Sequence, residues 1–223
     1  CRLRRDDAAP LDSKSLNRAM PSFFDAWQTA WSALGTQPEP ALFGHLLAAY
    51  AEPHRRYHTQ QHLQECLGHL QGAWGLAEHP GEVALALWFH DAVYAPDRHD
   101  NEPQSADWAR QAVVAAGVAP AVADRIHALI LATRHDAAPA TPDEALLVDI
   151  DLAILGAAPG RFDDYERQVR EEYAPVPEAL FRSRRQVILE GFLRRPSLYS
   201  TGWFRDRLES SARANLRRSM ARL

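Results

Sequence analysis

Residues 21–34 read PSFFDAWQTAWSAL, and Phe24, Trp27, Trp31 and Leu34 recur at spacings of three and four, the period that lines up side chains on one stripe of an α-helix. Gly35 follows as a stop, since glycine leaves a helix most easily. The same periodicity, punctuated by Pro, Gly and Asp/Ser/Thr, continues to the C-terminus, and no period-2 strand interrupts it. It predicts further helices over residues 39–51, 58–76, 80–94, 102–116, 121–135, 142–155, 161–173, 177–194 and 202–220. About ten helices joined by short loops make an all-α fold, a single compact helical bundle. Residues 1–19 are expected as a weakly ordered N-terminal extension and residues 20–223 as the domain, with 160–223 its peripheral arginine-rich part.

Composition narrows the chemistry. The chain has 223 residues, 46% hydrophobic and 24% charged, which excludes disordered and collagenous classes. A chain this long buries enough surface to fold without a metal, so any metal would serve function. Two cysteines against ten histidines and 29 acidic residues exclude a disulfide framework or a four-thiolate zinc site, and place a metal among imidazoles and carboxylates. The net charge of −4 argues against nucleic acid as partner. Residues 160–223 nevertheless carry 14 basic and 9 acidic side chains, the one hint of an anionic partner. Without a long apolar run or a signal peptide, the expectation is a cytoplasmic protein with no membrane partner and an open oligomeric state.

Three strings carry chemistry. In Tyr57-His58-Thr59-Gln60-Gln61-His62 the two histidines are four apart, on one face of the expected helix. Capping or surface histidines are the plainer account of that string alone. In Leu87-Trp88-Phe89-His90-Asp91 a His-Asp pair follows an apolar run. A carboxylate buried there needs a positive partner, either an arginine or a divalent cation. In Val148-Asp149-Ile150-Asp151-Leu152 the two aspartates point about 200° apart on a helix, so only one can face a given site. Capping or ion pairing accounts for the other.

In order, the strings give His, then His-Asp, then Asp, and here the sequence resembles the HD-domain superfamily of metal-dependent phosphohydrolases, whose signature has that order on an all-helical scaffold. The YHxxxH string is similar to that of cyclic-nucleotide phosphodiesterases, and Ile150-Asp151-Leu152 to their Ala-Asp-Leu element. From about Met20 onward the chain further resembles a bacterial subfamily of predicted HD phosphohydrolases, through HDAVYAP, DNEPQSA, DIDLAILG and REEYAPVP. The resemblance implies His62, His90, Asp91 and Asp151 as metal ligands and His58 as general acid. It also implies a small phosphorylated substrate, with nucleotides among the candidates.

Four such ligands would saturate tetrahedral zinc, whereas octahedral coordination leaves two positions open. One divalent ion of manganese, iron, nickel, cobalt or magnesium is therefore favoured, with zinc accommodated by five-coordination and a second metal conceivable. Such an ion would activate water for attack on phosphorus, while Asp91 and Asp151 orient that water.

Glu102, His135, Asp149 and Arg184 are softer candidates for supporting or substrate contacts. Asp100-Asn101-Glu102-Pro103 also suits a helix cap, and His135 a helix C-terminus. Arg184, with Arg182 and Arg185, could clamp a phosphate or simply coat a helix. Cys66 and His69 share a face with His62 but read as packing. Two alternatives to hydrolysis stand: a di-iron oxygenase of the same superfamily, with Asp91 bridging two irons and His135 or Glu102 attached, and a nucleotide-binding regulatory module without turnover.

Overall fold

The computed structural model describes residues 22–223, so the expected N-terminal extension lies outside the described residues. The architecture is all-α: α1 (Phe23–Ala33), α2 (Leu42–Ala49), α3 (Gln60–Ala73), α4 (Pro80–Phe89), α5 (Asn101–Ala115), α6 (Pro120–Ala132), α7 (Pro142–Asp151), α8 (Pro159–Glu172), α9 (Glu178–Arg194) and α10 (Gly202–Met220). Single 3-10 turns extend α3 and α7 over Trp74–Leu76 and Leu152–Gly156. Side-chain caps begin α1 (Ser22), α3 (Thr59), α7 (Thr141) and α10 (Thr201), and proline opens α4, α6, α7 and α8.

Helix α4 is the centre of the bundle. Every residue from Gly81 to Phe89 is buried, as expected of a helix that is apolar on all sides. It packs against α1, α3, α5, α6 and α7. Its one buried acid, Glu82, takes a bidentate pair from Arg125 on α6 at 2.8 and 2.5 Å, so the charge is not left alone in the core. Around α4, Trp27, Phe43 and Trp88 meet edge-on or tilted at 5.1 to 5.9 Å between ring centroids. At the other end, Gly156 lets the 3-10 turn after α7 press on α10: a Cβ there would lie 2.6 Å from Leu208 Cβ.

The structure corrects three details of the helical reading. Phe24 is 56% exposed and packs only at the edge, against Phe43, because the buried stripe of α1 runs through Trp27, Ala30 and Trp31. The third helix starts at Gln60 with Thr59 as cap, so His58 precedes it and the two histidines do not share a helical face. The fourth ends at Phe89, leaving His90 and Asp91 in the turn that follows.

Most arginines of the arginine-rich end are ion-paired, largely with acids of the same segment. Arg161 holds Glu65, Arg185 holds Glu166, Arg213 holds Glu209, and Arg218 and Arg222 share Asp163. Pairs within residues 160–223 leave the segment's formal excess of positive charge unchanged, and of the pairs named only Arg161–Glu65 draws on an acid outside it. Among the described residues, no helix is long and apolar enough to cross a membrane.

Candidate metal centre

Four helix ends converge on one point: the first turn of α3 brings His62, the end of α4 brings His90 and Asp91, the last residue of α7 is Asp151, and the turn after α6 carries His135. Three of these are C-terminal ends, whose unpaired carbonyls and negative dipole favour a cation. His62 Nε2 lies 3.1 Å from His90 Nε2, 3.5 Å from Asp91 Oδ2 and 3.3 Å from Asp151 Oδ1. His90 Nε2 lies 3.1 Å from Asp91 Oδ2 and 3.7 Å from Asp151 Oδ1. Donors bound to one ion at about 2.1 Å stand about 3.0 Å apart at right angles and about 3.4 Å apart at tetrahedral angles. The observed separations suit a single ion.

Hydrogen bonding points the same way. His90 Nδ1 donates to the Leu87 carbonyl at 2.7 Å, so in the neutral ring Nε2 carries the lone pair and aims it at His62. Two buried imidazoles and two carboxylates facing one another need a cation between them, a proton or a metal. Without a metal, protons take the part. Burial pulls His90 down, but Asp91, their hydrogen bond and Asp151 outweigh it and push the imidazole up to about 9. Burial raises the Asp91 carboxyl, yet His90 and His58 hold it well below the usual carboxylate range. Asp151 is held low too, chiefly by His135 and His62 acting against burial.

His135 Nε2 bonds Asp151 Oδ2 at 2.9 Å, so the two oxygens of Asp151 serve different sides. The sequence suggested His135 as a helix-terminal residue or a second-metal ligand. It occupies the left-handed region at φ 57°, which costs a histidine energy, and its Nδ1, like the Tyr57 hydroxyl, is buried without a partner among the described residues.

Asp149 does not enter the site. It is fully buried and accepts N–H bonds from Ser200 at 2.8 Å and Thr201 at 2.7 Å, plus the Thr201 hydroxyl at 2.7 Å, and so fixes the start of α10. The two aspartates thus divide as helical geometry required.

His58 stands beside the cluster, stacked on Tyr94 at 4.1 Å. Its Nδ1 is 2.8 Å from Glu172 Oε2, which leaves Nε2 for the cleft. Burial lowers its pKa, but Asp91 and the hydrogen bond to Glu172 outweigh that and raise it above the ordinary 6.5. Glu172, at the end of α8, was not singled out from the sequence. Its Oε1 accepts the backbone N–H groups of Arg56, Tyr57 and His58, and its Oε2 the Tyr94 hydroxyl. The segment expected at the periphery therefore shapes the centre. Arg55, also unforeseen, is 3% exposed and donates to the carbonyls of His58, Asp91 and Ala92, tying the two histidine strings together. Cys66, read as packing, is buried but stands 3.7 Å from His62 Nε2.

An open cleft of about 700 Å³ reaches Asp91, Asp151 and His58. Glu102 lies on its wall, while Asp100 pairs with Arg98 and Gln104 and caps no helix through its side chain. Of the four arginines on α9, Arg184 and Arg185 both line the cleft, and of these two only Arg184 is exposed. Arg182 holds the C-terminal carbonyls, and Arg185 is buried on Tyr165 and Glu166. Comparison of the chain with protein-family models, with curated proteins and with solved structures finds no match in any of the three.

Proposed function

We propose that this protein is a metal-dependent phosphohydrolase acting on a small phosphate ester, with His62, His90, Asp91 and Asp151 holding one divalent ion. The observation that carries the reading is the convergence of two imidazole nitrogens and two carboxylates at 3.1 to 3.7 Å, with both carboxylates lining an open cleft. The resemblance of the His, His-Asp, Asp order to HD-domain hydrolases supplies the reaction class. The donor set suits manganese, iron, nickel, cobalt or magnesium, which would supply Lewis acidity toward a phosphoryl oxygen and ease deprotonation of water.

The chain's own groups supply the rest. The carboxylates of Asp91 and Asp151 orient the attacking water. His58 is held by Glu172 as a proton-bearing imidazole, with Nε2 turned to the cleft to protonate the departing oxygen. Arg184 steadies the substrate's outer charge.

A panel of phosphomonoesters and phosphodiesters is assayed across these divalent metals, with His90→Ala as the blank. Metal-dependent turnover lost in the blank supports the reading; no turnover with any metal, despite stoichiometric binding, removes it. His58→Ala should retain metal and lose most turnover of esters with poor leaving groups.

A further inference from the structure

The proposed reaction makes no use of Cys66, although the thiol stands one helical turn beyond His62 on α3 and is buried beside the same donors. Its Sγ is 3.7 Å from His62 Nε2, and donor atoms of His62, Cys66, His90 and Asp151 all lie within 4.8 Å of one another. A nitrogen and a sulfur bound to one tetrahedral ion, at about 2.05 and 2.3 Å, stand about 3.6 Å apart. The Sγ–Nε2 spacing matches that figure, but Sγ is also 3.8 Å from His62 Nδ1, beside the ring, so the thiol must turn to share an ion with Nε2. A second cavity of about 220 Å³, lined by Glu65, Cys66, His69 and Leu208 among others, opens on this side of the centre and leaves room there.

Three donors, from His62, His90 and Asp151, thus have two alternative fourth partners: the hard oxygen of Asp91 toward the cleft and the soft sulfur of Cys66 away from it. We propose that Cys66 gives this centre a second coordination mode, His62–Cys66–His90–Asp151, which captures thiophilic cations such as zinc or cadmium and withdraws them from the mode completed by Asp91. Soft thiolate selects such metals, and four protein ligands saturate a tetrahedral ion, leaving no position for water or substrate. The S–H proton passes to solvent as the sulfur binds. The coordination stands on the donor geometry alone. Its consequence, inhibition by soft metals of a centre that works with harder ones, rests on the proposed hydrolase reading.

The test reads coordination, not turnover. The full chain carrying Cys1→Ala, so that Cys66 is its sole thiol, is loaded with one equivalent of zinc, cadmium or manganese. Zinc X-ray absorption should show one sulfur neighbour at about 2.3 Å, and cadmium a thiolate charge-transfer band, whereas manganese should show nitrogen and oxygen only. Adding Cys66→Ala should abolish the band and weaken cadmium binding at least about ten-fold, with manganese affinity changed less than about two-fold. A zinc or cadmium site without sulfur in the Cys1→Ala chain overturns the proposal, whether or not Cys66→Ala folds. Equal loss of cadmium and manganese affinity overturns the selectivity. Absence of phosphoester turnover would sink the hydrolase reading while leaving this spectroscopic result in place.

Discussion

Replacing Glu172 by Gln removes one charge and almost no volume from the hub that organises residues 56–58. The carboxylate gathers three backbone N–H groups, the His58 ring and the Tyr94 hydroxyl, at 2.8 to 3.0 Å. Burial pushes its pKa up, but the hydrogen bond and charge of His58 and the backbone donors outweigh this and hold it at about 2 against an ordinary 4.5. A depression of that size corresponds to about 3 kcal/mol of stability at neutral pH, or about 6 to 12 °C in Tm for a chain of this length. The sign follows from both partners. The lowered Glu172 pKa contributes stability above pH 4.5 that is lost as pH falls toward 2. The raised His58 pKa contributes stability below pH 6.5 that is lost as pH rises through its folded value. The difference in Tm between the metal-free parent and Glu172→Gln should therefore peak between about pH 4.5 and about pH 6.5. Circular dichroism melts across pH measure that gap, and NMR titration of the His58 ring should show its pKa falling in the variant. A gap that does not vary with pH, together with an unchanged His58 titration, would refute the assigned pairing.

Three further outcomes are expected. Asp151→Asn should weaken divalent-metal binding at least about 100-fold with the fold intact, whereas Asp149→Asn should cost about 2 kcal/mol of stability and keep metal affinity; calorimetric titration beside thermal melts separates the two. Because His90 is raised from 6.5 to about 9, the metal-free chain should lose stability as pH rises from 6.5 through 9. The metal-loaded chain should not, since deprotonation favours the ion, and melts with and without manganese report the contrast. Gly156→Ala should destabilise by about 1 to 3 kcal/mol, because its Cβ meets Leu208 on α10, and a denaturant midpoint equal to the parent's would contradict that packing.

Helix existence was legible because the apolar residues keep a 3.6 period and the breaks carry Pro, Gly or capping residues. Boundaries were less so around the candidate site: His58 and the His90-Asp91 pair continue their helical patterns on paper, but Thr59 caps α3 and α4 stops at Phe89. The grouping of His62, His90, Asp91 and Asp151 was visible through order and family resemblance. The division between Asp149 and Asp151 followed from helical angle alone. Glu172 was not visible, for it meets His58 across 114 residues and in sequence is one acid among several on α8. Its partner depends on where the end of α8 comes to lie against the loop before α3, which no local pattern encodes. The same holds for Arg184, which only the packing of α9 distinguishes from Arg182 and Arg185.

The aspartates of α7 carry one more implication. Asp149 grips the start of α10 while Asp151 faces the histidines, so the helix is anchored at two angular positions at once. A single-residue deletion or insertion between residues 146 and 155 would rotate everything beyond it by about 100°, unseating Gly156 from α10 and swinging any aspartate past the change away from its role. This stretch should therefore accept conservative replacements of its apolar residues yet reject any change of length, a phase lock that saturation mutagenesis paired with single-codon deletions would expose.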